Sequence, residues 1–168
     1  MTPAIKLLER AKIAHRVVTY SHDPTSESYG LEAVEALGLA PDRVFKTLLA
    51  ALDGSETVVA VIPVEQRLDL KALARAAGAK KATMADPTAA ERMTGYVVGG
   101  ISPLGQRKRL RTFIDATATD LDEIHVSGGR RGVEVALAPA DLAELLSAAF
   151  PPLTTASATL ERPEPVDG

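Results

Sequence analysis

Apolar positions along the chain switch between the three-to-four-residue spacing of helices and the near-continuous runs of strands. Two such runs, at 44–52 and 57–62, are joined by the turn signal Asp53-Gly54, which predicts an antiparallel hairpin. Further strands are predicted at 15–20, 111–115, 123–127 and 133–137. Helices are predicted at 2–12, 31–37, 70–77, 87–94 and 139–149.

Polar residues and glycines mark the ends of these predicted helices. Thr2 and Asp86 each precede a proline, and Asp69 precedes an apolar face, so each side chain can cap free backbone N–H groups. Gly38 and Gly78 follow the last apolar turn, where a left-handed residue ends a helix at little cost. Because the strands and helices do not alternate regularly, we expect an α+β fold in which a mostly antiparallel sheet curls into a barrel surrounded by helices.

Length and composition fit one domain that needs neither disulfides nor metal. Of the 168 residues, we assign 1–150 to this domain and 151–168, rich in Pro, Thr, Ala and Glu, to a flexible tail. The absence of cysteine excludes a disulfide, a Cys-ligated zinc and an enzyme thiol nucleophile. We expect no cofactor. With no long apolar run and no signal-peptide pattern, the chain is expected to be cytoplasmic and away from membranes.

Charge argues against bulk attraction to nucleic acid, since the net charge is −3. Positive residues nevertheless cluster locally, and two clusters that converged would form a phosphate footprint. An equally good interpretation is a solvated loop rim. The candidate phosphate contacts are Arg107, Lys108, Arg109 and Arg130.

The segment 94–109 is the first candidate for a functional site. Its four glycines and Ser102-Pro103 predict irregular backbone that approaches a ligand closely, although a tight turn between strands would have the same composition. Dinucleotide, Walker, esterase and zinc-protease motifs are absent, and the three histidines lie far apart.

Lys46 is the second candidate, because it interrupts an apolar strand. Its ammonium group either points into a cavity, where an anionic or carbonyl partner would use it, or points outward as an edge-strand charge that opposes aggregation. Tyr20 and Tyr29 flank a loop and are candidates for the rim of a pocket, although each would serve equally as core or surface filler.

Several segments in order resemble the YbaK family of aminoacyl-tRNA deacylases, over the range from Met1 to about Ala149. The segments that carry the resemblance include Val44-Phe45-Lys46-Thr47-Leu48, Leu68-Asp69-Leu70-Lys71, Met84-Ala85-Asp86-Pro87, Thr94-Gly95-Tyr96 and Ser127-Gly128-Gly129-Arg130-Arg131-Gly132. The resemblance implies the barrel-like α+β fold of editing domains. It also implies mischarged tRNA as substrate and prolyl-tRNA synthetase as a transient partner.

Within that family, the YbaK branch releases cysteine from proline tRNA, with the substrate's own thiol attacking the ester and leaving as a thiolactone. The resemblance makes Lys46 the catalytic residue. Glu134 stands where the family commonly has Asp, and Tyr29 where it often has Phe. The implied substrate-binding residues are Tyr20, Tyr29, Thr47, Gly99, Ser127, Gly129 and Glu134.

Two other functions stay open at this stage. The same fold could remove another small misacylated residue, such as alanine from proline tRNA, with water as the nucleophile. A non-catalytic module that binds tRNA or the synthetase is the other possibility, although such a module has no need to keep a pocket.

Overall fold

The computed structural model describes residues 1–26 and 28–161. Its elements follow one another irregularly along the chain. The strands are β1 (His15–Thr19), β2 (Phe45–Leu52), β3 (Glu56–Pro63), β4 (Ala82–Met84), β5 (Thr112–Ile114), β6 (Ile124–Arg130) and β7 (Val133–Leu137). The helices are α1 (Pro3–Arg10), α2 (Tyr29–Leu37), α3 (Leu70–Ala77), α4 (Pro87–Thr94), α5 (Pro139–Leu146) and α6 (Thr155–Glu161).

The strands form two sheets, and this confirms the predicted α+β class with mostly antiparallel pairing. One sheet has the order β1-β7-β6 and the other β4-β2-β3-β5, in which only the β3–β5 pair is parallel. A short bridge between Val44 and His125 links the two sheets. Within the described residues the strands therefore make two joined sheets, where the sequence had predicted a single sheet curling into a barrel.

The predicted hairpin is β2–β3, and alternate residues of β3 face two separate parts of the core. Val59 and Val61 pack with α1, α5 and the three-stranded sheet. Val58, Ala60 and Ile62 pack with α3 and β4 on the opposite face. Because both faces are covered, this strand is a continuous apolar run in the sequence instead of an alternating one.

Predicted helix caps are confirmed in the structure. The side chains of Thr2, Asp69 and Asp86 accept hydrogen bonds from the backbone N–H groups of Ile5, Ala72 and Ala89 respectively. Gly38 and Gly78 adopt left-handed conformations at the ends of α2 and α3. These helices begin and end where local side-chain chemistry dictates.

The structure differs from the sequence expectation after residue 150. Leu153 is fully buried, and α6 packs beside the short 3₁₀ turn 116–120. The carboxylate of Asp115, itself fully buried, accepts hydrogen bonds from the backbone N–H of Leu153 at 2.8 Å and from the hydroxyl of Ser157 at 2.6 Å. Asp115, together with backbone hydrogen bonds from Asp69 to Leu153 and from Ala116 to Pro151, thus holds the start of this segment on the domain. Residues 162–168 of the predicted tail lie outside the described residues.

None of the helices in the described ranges has the length and apolarity that a membrane-spanning segment requires.

Candidate active site

One cavity of about 350 Å³ lies where β2, the start of α2 and the two glycine-rich segments meet. Eight of the residues singled out from the sequence line it. They are Tyr20, Tyr29, Lys46, Thr47, Gly99, Ser127, Arg130 and Glu134. Residues that lie far apart in sequence are therefore brought to one concave surface of the size that small-molecule ligands occupy.

The three-stranded sheet supplies the acidic wall of the cavity. Glu134 on β7 pairs with Ser127 on β6 and with Val18 on β1, so the side chains of all three project from the same face. Tyr20 follows β1, and its backbone N–H donates to the carbonyl of Gly132 at 2.9 Å. This bond closes the end of the sheet beside the cavity.

The carboxyl group of Glu134 is buried at the wall of the cavity. The residue is only 6% exposed. Burial raises the pKa of its carboxyl to about 8, because the charged form loses its hydration. Burial, with a smaller contribution from the charge of Glu134, also raises the pKa of Tyr20. The wall therefore presents a largely neutral carboxyl group that a cationic ligand would ionise.

Lys46, on β2, is half-buried and also lines the cavity. Burial lowers the pKa of its ammonium group, and the nearby positive charge of Arg67 lowers it further. An anion or a developing oxyanion would offset both effects. The interpretation of Lys46 as a purely outward edge charge does not fit, since the residue is half-buried and lines the cavity.

The hydroxyl of Thr47 has no hydrogen-bond partner among the described residues, although its oxygen is fully shielded from solvent. A buried hydroxyl without a partner costs free energy on the order of 1 kcal/mol or more. Thr47 also lines the cavity, so it shapes this wall, while its shielded oxygen does not face the open space.

Gly99 lines the cavity at a place with no room for a side chain. Its φ of +91° lies in the left-handed region, and a Cβ at this position would be 2.5 Å from Cε2 of Tyr29 and 2.8 Å from Nε of Arg131. Only glycine satisfies both the conformation and the available space. Part of the segment 94–109, including Val98 and Gly99, therefore lies at the wall of the cavity.

The second glycine segment is anchored from behind by the start of α1. Thr2 donates its hydroxyl to the carbonyl of Gly128 at 2.5 Å. Gly129, with φ of +105°, leaves no room for a Cβ beside Tyr96, 2.8 Å away. Its backbone N–H donates to the hydroxyl of Ser127 at 3.1 Å. Gly129 therefore shapes the turn and orients Ser127.

The four basic residues predicted to contact phosphates lie in three places. Arg130 is exposed and lines the cavity. Lys108 and Arg109 line a second, smaller groove beside α5, and Arg109 donates to the hydroxyl of Ser147 at 3.3 Å. Arg107 packs against Gly95 at the end of α4. The four candidate phosphate contacts therefore lie at two separate cavities and at the end of α4, and not in one cleft.

Sequence reasoning gave no role to several residues at the cavity. Val64 lines it and packs so closely on Gly30 that a Cβ there would be 2.5 Å from its Cγ1. Arg131 lies with its guanidinium carbon 4.2 Å from the centre of the Tyr29 ring. In the sequence, Arg131 stood out only as part of the Arg130-Arg131 charge cluster, and nothing indicated its contact with Tyr29.

Comparison with known proteins gives a consistent result. The aminoacyl-tRNA editing domain family matches residues 24–145. A candidate Cys-tRNA(Pro)/Cys-tRNA(Cys) deacylase of Enterococcus faecalis, EbsC, is 37% identical over 92% of this chain and 93% of its own length. The multifunctional Ser/Thr-tRNA deacylase ProXp-y of Escherichia coli is 32% identical over 82% of each chain.

Two further matches connect the fold with prolyl-tRNA synthetase. A proline–tRNA ligase of Nitratidesulfovibrio vulgaris is 36% identical over 55% of this chain, which corresponds to 16% of the ligase. A solved structure described as a candidate trans-editing enzyme for prolyl-tRNA synthetase superposes with a TM-score of 0.78. That structure is 23% identical and aligns over 92% of this chain and 98% of its own, so it supports the fold.

Proposed function

The chain belongs to the aminoacyl-tRNA editing domain family and is an aminoacyl-tRNA deacylase of the trans-editing kind, and we propose that it releases cysteine from proline tRNA that was mischarged with it. The observation that carries this proposal is the cavity itself. It places the lysine Lys46, the hydroxyl-bearing Ser127 and the buried carboxyl group of Glu134 around space for a small aminoacyl ester. The 37% identity to the Enterococcus faecalis protein supports cysteine as the amino acid.

The proposed role of each cavity residue follows from its charge or its hydrogen-bonding groups. Glu134 faces the cavity as a carboxyl group that an α-amino group would ionise, so it holds the amine of the aminoacyl end. Lys46, which lines the same cavity, stabilises negative charge on the ester carbonyl oxygen as it develops. The hydroxyl group of Ser127 provides a hydrogen bond that helps to fix the ester, and Thr47 shapes the wall of the cavity.

The nucleophile of the proposed reaction is the thiol of the substrate itself. The cysteine sulfur attacks the ester carbonyl, a carbon–sulfur bond forms, and the bond from the carbonyl carbon to the ribose oxygen breaks. The thiol proton ends on that ribose oxygen, which leaves as the hydroxyl of the free tRNA terminus, and the cysteine departs as a thiolactone. Because this chain contains no cysteine, the sulfur nucleophile of this route belongs to the substrate.

The partner that we propose is prolyl-tRNA synthetase, in a transient complex. A proline–tRNA ligase carries a segment similar to this chain within its own sequence, and a free-standing copy would serve the same product when bound nearby. Because charged tRNA is made in the cytoplasm, we expect the chain to act there.

The experiment that tests the substrate compares three forms of the same proline tRNA, charged with cysteine, alanine or serine. We expect kcat/KM to be highest for the cysteine ester. Faster release of alanine or serine would replace the thiol route with hydrolysis by water. The E. coli relative, named a Ser/Thr-tRNA deacylase, makes serine the more informative competitor. Tight tRNA binding without release of any amino acid would indicate the non-catalytic module.

Replacing Glu134 with glutamine is expected to change how stability depends on pH. The pKa of Glu134 rises from the ordinary value of 4.5 to about 8 in the folded chain. The folded state therefore binds this proton more tightly than the unfolded state. The resulting stability is fully present below about pH 4.5 and is lost as the pH rises through 8. The Tm of the unmodified chain should thus fall, relative to that of Glu134→Gln, between these two pH values.

Thermal unfolding of both proteins across pH 5 to 9, without substrate, measures this difference. Parallel Tm curves over the whole range would contradict the assignment of a neutral, buried carboxyl group to Glu134.

Charge reversal at Arg107, Lys108 and Arg109 together is expected to weaken tRNA binding and to flatten its salt dependence. Each lost phosphate contact should reduce the slope of log Kd against log salt by about 0.7 to 0.9. Titrations at several salt concentrations measure the slope. Arg75→Glu is the matched control, because Arg75 is exposed on α3. An unchanged slope in the triple variant would leave these residues as a solvated rim.

A further inference from the structure

Arg131 connects three walls of the cavity through one side chain. Its guanidinium carbon lies 4.2 Å from the centre of the Tyr29 ring, at the start of α2. Nε and Nη2 donate to the carbonyl of Val98 at 3.2 Å and 2.6 Å. Arg131 itself lies in the turn between β6 and β7. The start of α2, the segment 97–100 and the β6–β7 hairpin therefore meet at this residue.

The packing around this contact has little free space. A Cβ at Gly99 would be 2.5 Å from the Tyr29 ring and 2.8 Å from Nε of Arg131. A Cβ at Gly100 would be 3.0 Å from the backbone nitrogen of Arg131. Behind Tyr29, Gly30 is pressed against Val64. A shift of the Tyr29 ring would therefore displace the backbone at Gly99, which lines the cavity.

Arginine is the residue that this position requires. Its planar guanidinium can stack one face on an aromatic ring while two N–H groups on its edge bind a carbonyl. A lysine carries the same charge but lacks the plane, so it cannot maintain both contacts together. Charge alone does not explain the arrangement.

We propose that Arg131 is a positioning residue that fixes Tyr29 and the Val98–Gly99 backbone, and so sets the width of the cavity for a small aminoacyl group. The inference rests on the proposed function, since it takes the aminoacyl end of tRNA as the occupant. Loss of Arg131 should loosen this wall, lower kcat/KM for the small ester and reduce discrimination against larger ones.

The first test does not depend on activity. The backbone N–H of Val98 donates to Glu91 at 2.8 Å, and that of Gly100 donates to the carbonyl of Val97 at 2.8 Å. In Arg131→Lys these two amides should exchange with solvent about tenfold faster, while the amides of β3 keep their rates. Arg75→Lys, on the exposed face of α3, is the matched control. Unchanged exchange at Val98 and Gly100 would overturn the proposal.

The second test is a double-mutant cycle on whichever charged tRNA the unmodified protein cleaves. Arg131→Lys and Tyr29→Leu should each lower kcat/KM by about tenfold, and the double variant should lose little more than either, because both act on one contact. The ratio of kcat/KM for the cleaved ester to that for a methionine ester should fall in parallel. If Arg131→Lys does not fold, Arg131→Met, which keeps the aliphatic stem, replaces it in both tests.

The proposal would be overturned if the losses of kcat/KM in the two single variants multiplied in the double variant and tRNA binding also became less dependent on salt. Arg131 would then be a phosphate contact. If the unmodified protein cleaved no charged tRNA, the proposed function would fail, while the amide exchange would still decide the role of Arg131.

Discussion

Lys46→Ala is expected to lower kcat for cysteine release by at least about 100-fold, the usual effect of removing a group that stabilises a developing oxyanion. Lys46 is half-buried and lines the cavity, and burial together with the charge of Arg67 lowers the pKa of its ammonium group. Both effects disfavour the charged ammonium group in the free protein. A negative charge that develops beside it in the transition state would offset them.

Stability separates this interpretation from a structural one. Removing an ammonium group that is disfavoured by burial should leave the free energy of unfolding nearly unchanged or slightly higher. Lys71→Ala, at an exposed position of α3, is the control and should keep full activity. Single-turnover release of labelled cysteine gives the rate, and denaturant titration gives the stability. A Lys46→Ala protein with normal kcat would remove Lys46 from the mechanism.

Gly99→Ala is expected to have the second largest effect, a loss of activity of about 100-fold accompanied by a measurable loss of stability. The new Cβ would stand 2.5 Å from the Tyr29 ring and 2.8 Å from Arg131, so the wall of the cavity must move. A misplacement of about 1 Å at a reacting group can cost this much in rate. The left-handed backbone adds strain of about 1 kcal/mol.

Gly54→Ala separates backbone strain from the clash. Gly54 has a φ of +71° in the β2–β3 turn, and a Cβ there would have nothing within 4 Å. This variant should lose a similar increment of stability to backbone strain and keep its activity. Equal kcat/KM values for the two alanine variants would contradict the account of Gly99 as a closely packed wall of the cavity.

Local rules predicted much of the fold. Thr2, Asp69 and Asp86 cap the helices that their sequences predict, because capping depends on residues three positions apart. The β2–β3 hairpin follows from two apolar runs and one turn. By contrast, β4 has three residues and a weak pattern, and it is a strand only because β2 offers it hydrogen bonds. The helix α6 depends on Asp115, which lies 42 positions from Ser157.

Some residues of the candidate site can likewise be predicted from local sequence, whereas others cannot. Lys46 and the glycine segments stand out because an apolar strand or a polar loop makes them unusual where they are. The contacts of Arg131 with Tyr29 and Val98 join residues that are 33 or more positions apart, and no local pattern encodes such a contact. The pKa of Glu134 likewise depends on what three strands bury around it. Proximity of this kind comes from tertiary structure alone.

The most direct test of the central claim follows labelled cysteine from mischarged proline tRNA to its product. We expect the protein to release the label as a thiolactone, and to leave the corresponding ester of S-methylcysteine, whose sulfur cannot attack in this way, essentially intact. Release of both amino acids at similar rates, as free acids, would contradict the substrate-thiol route and would identify the protein as a deacylase that activates water.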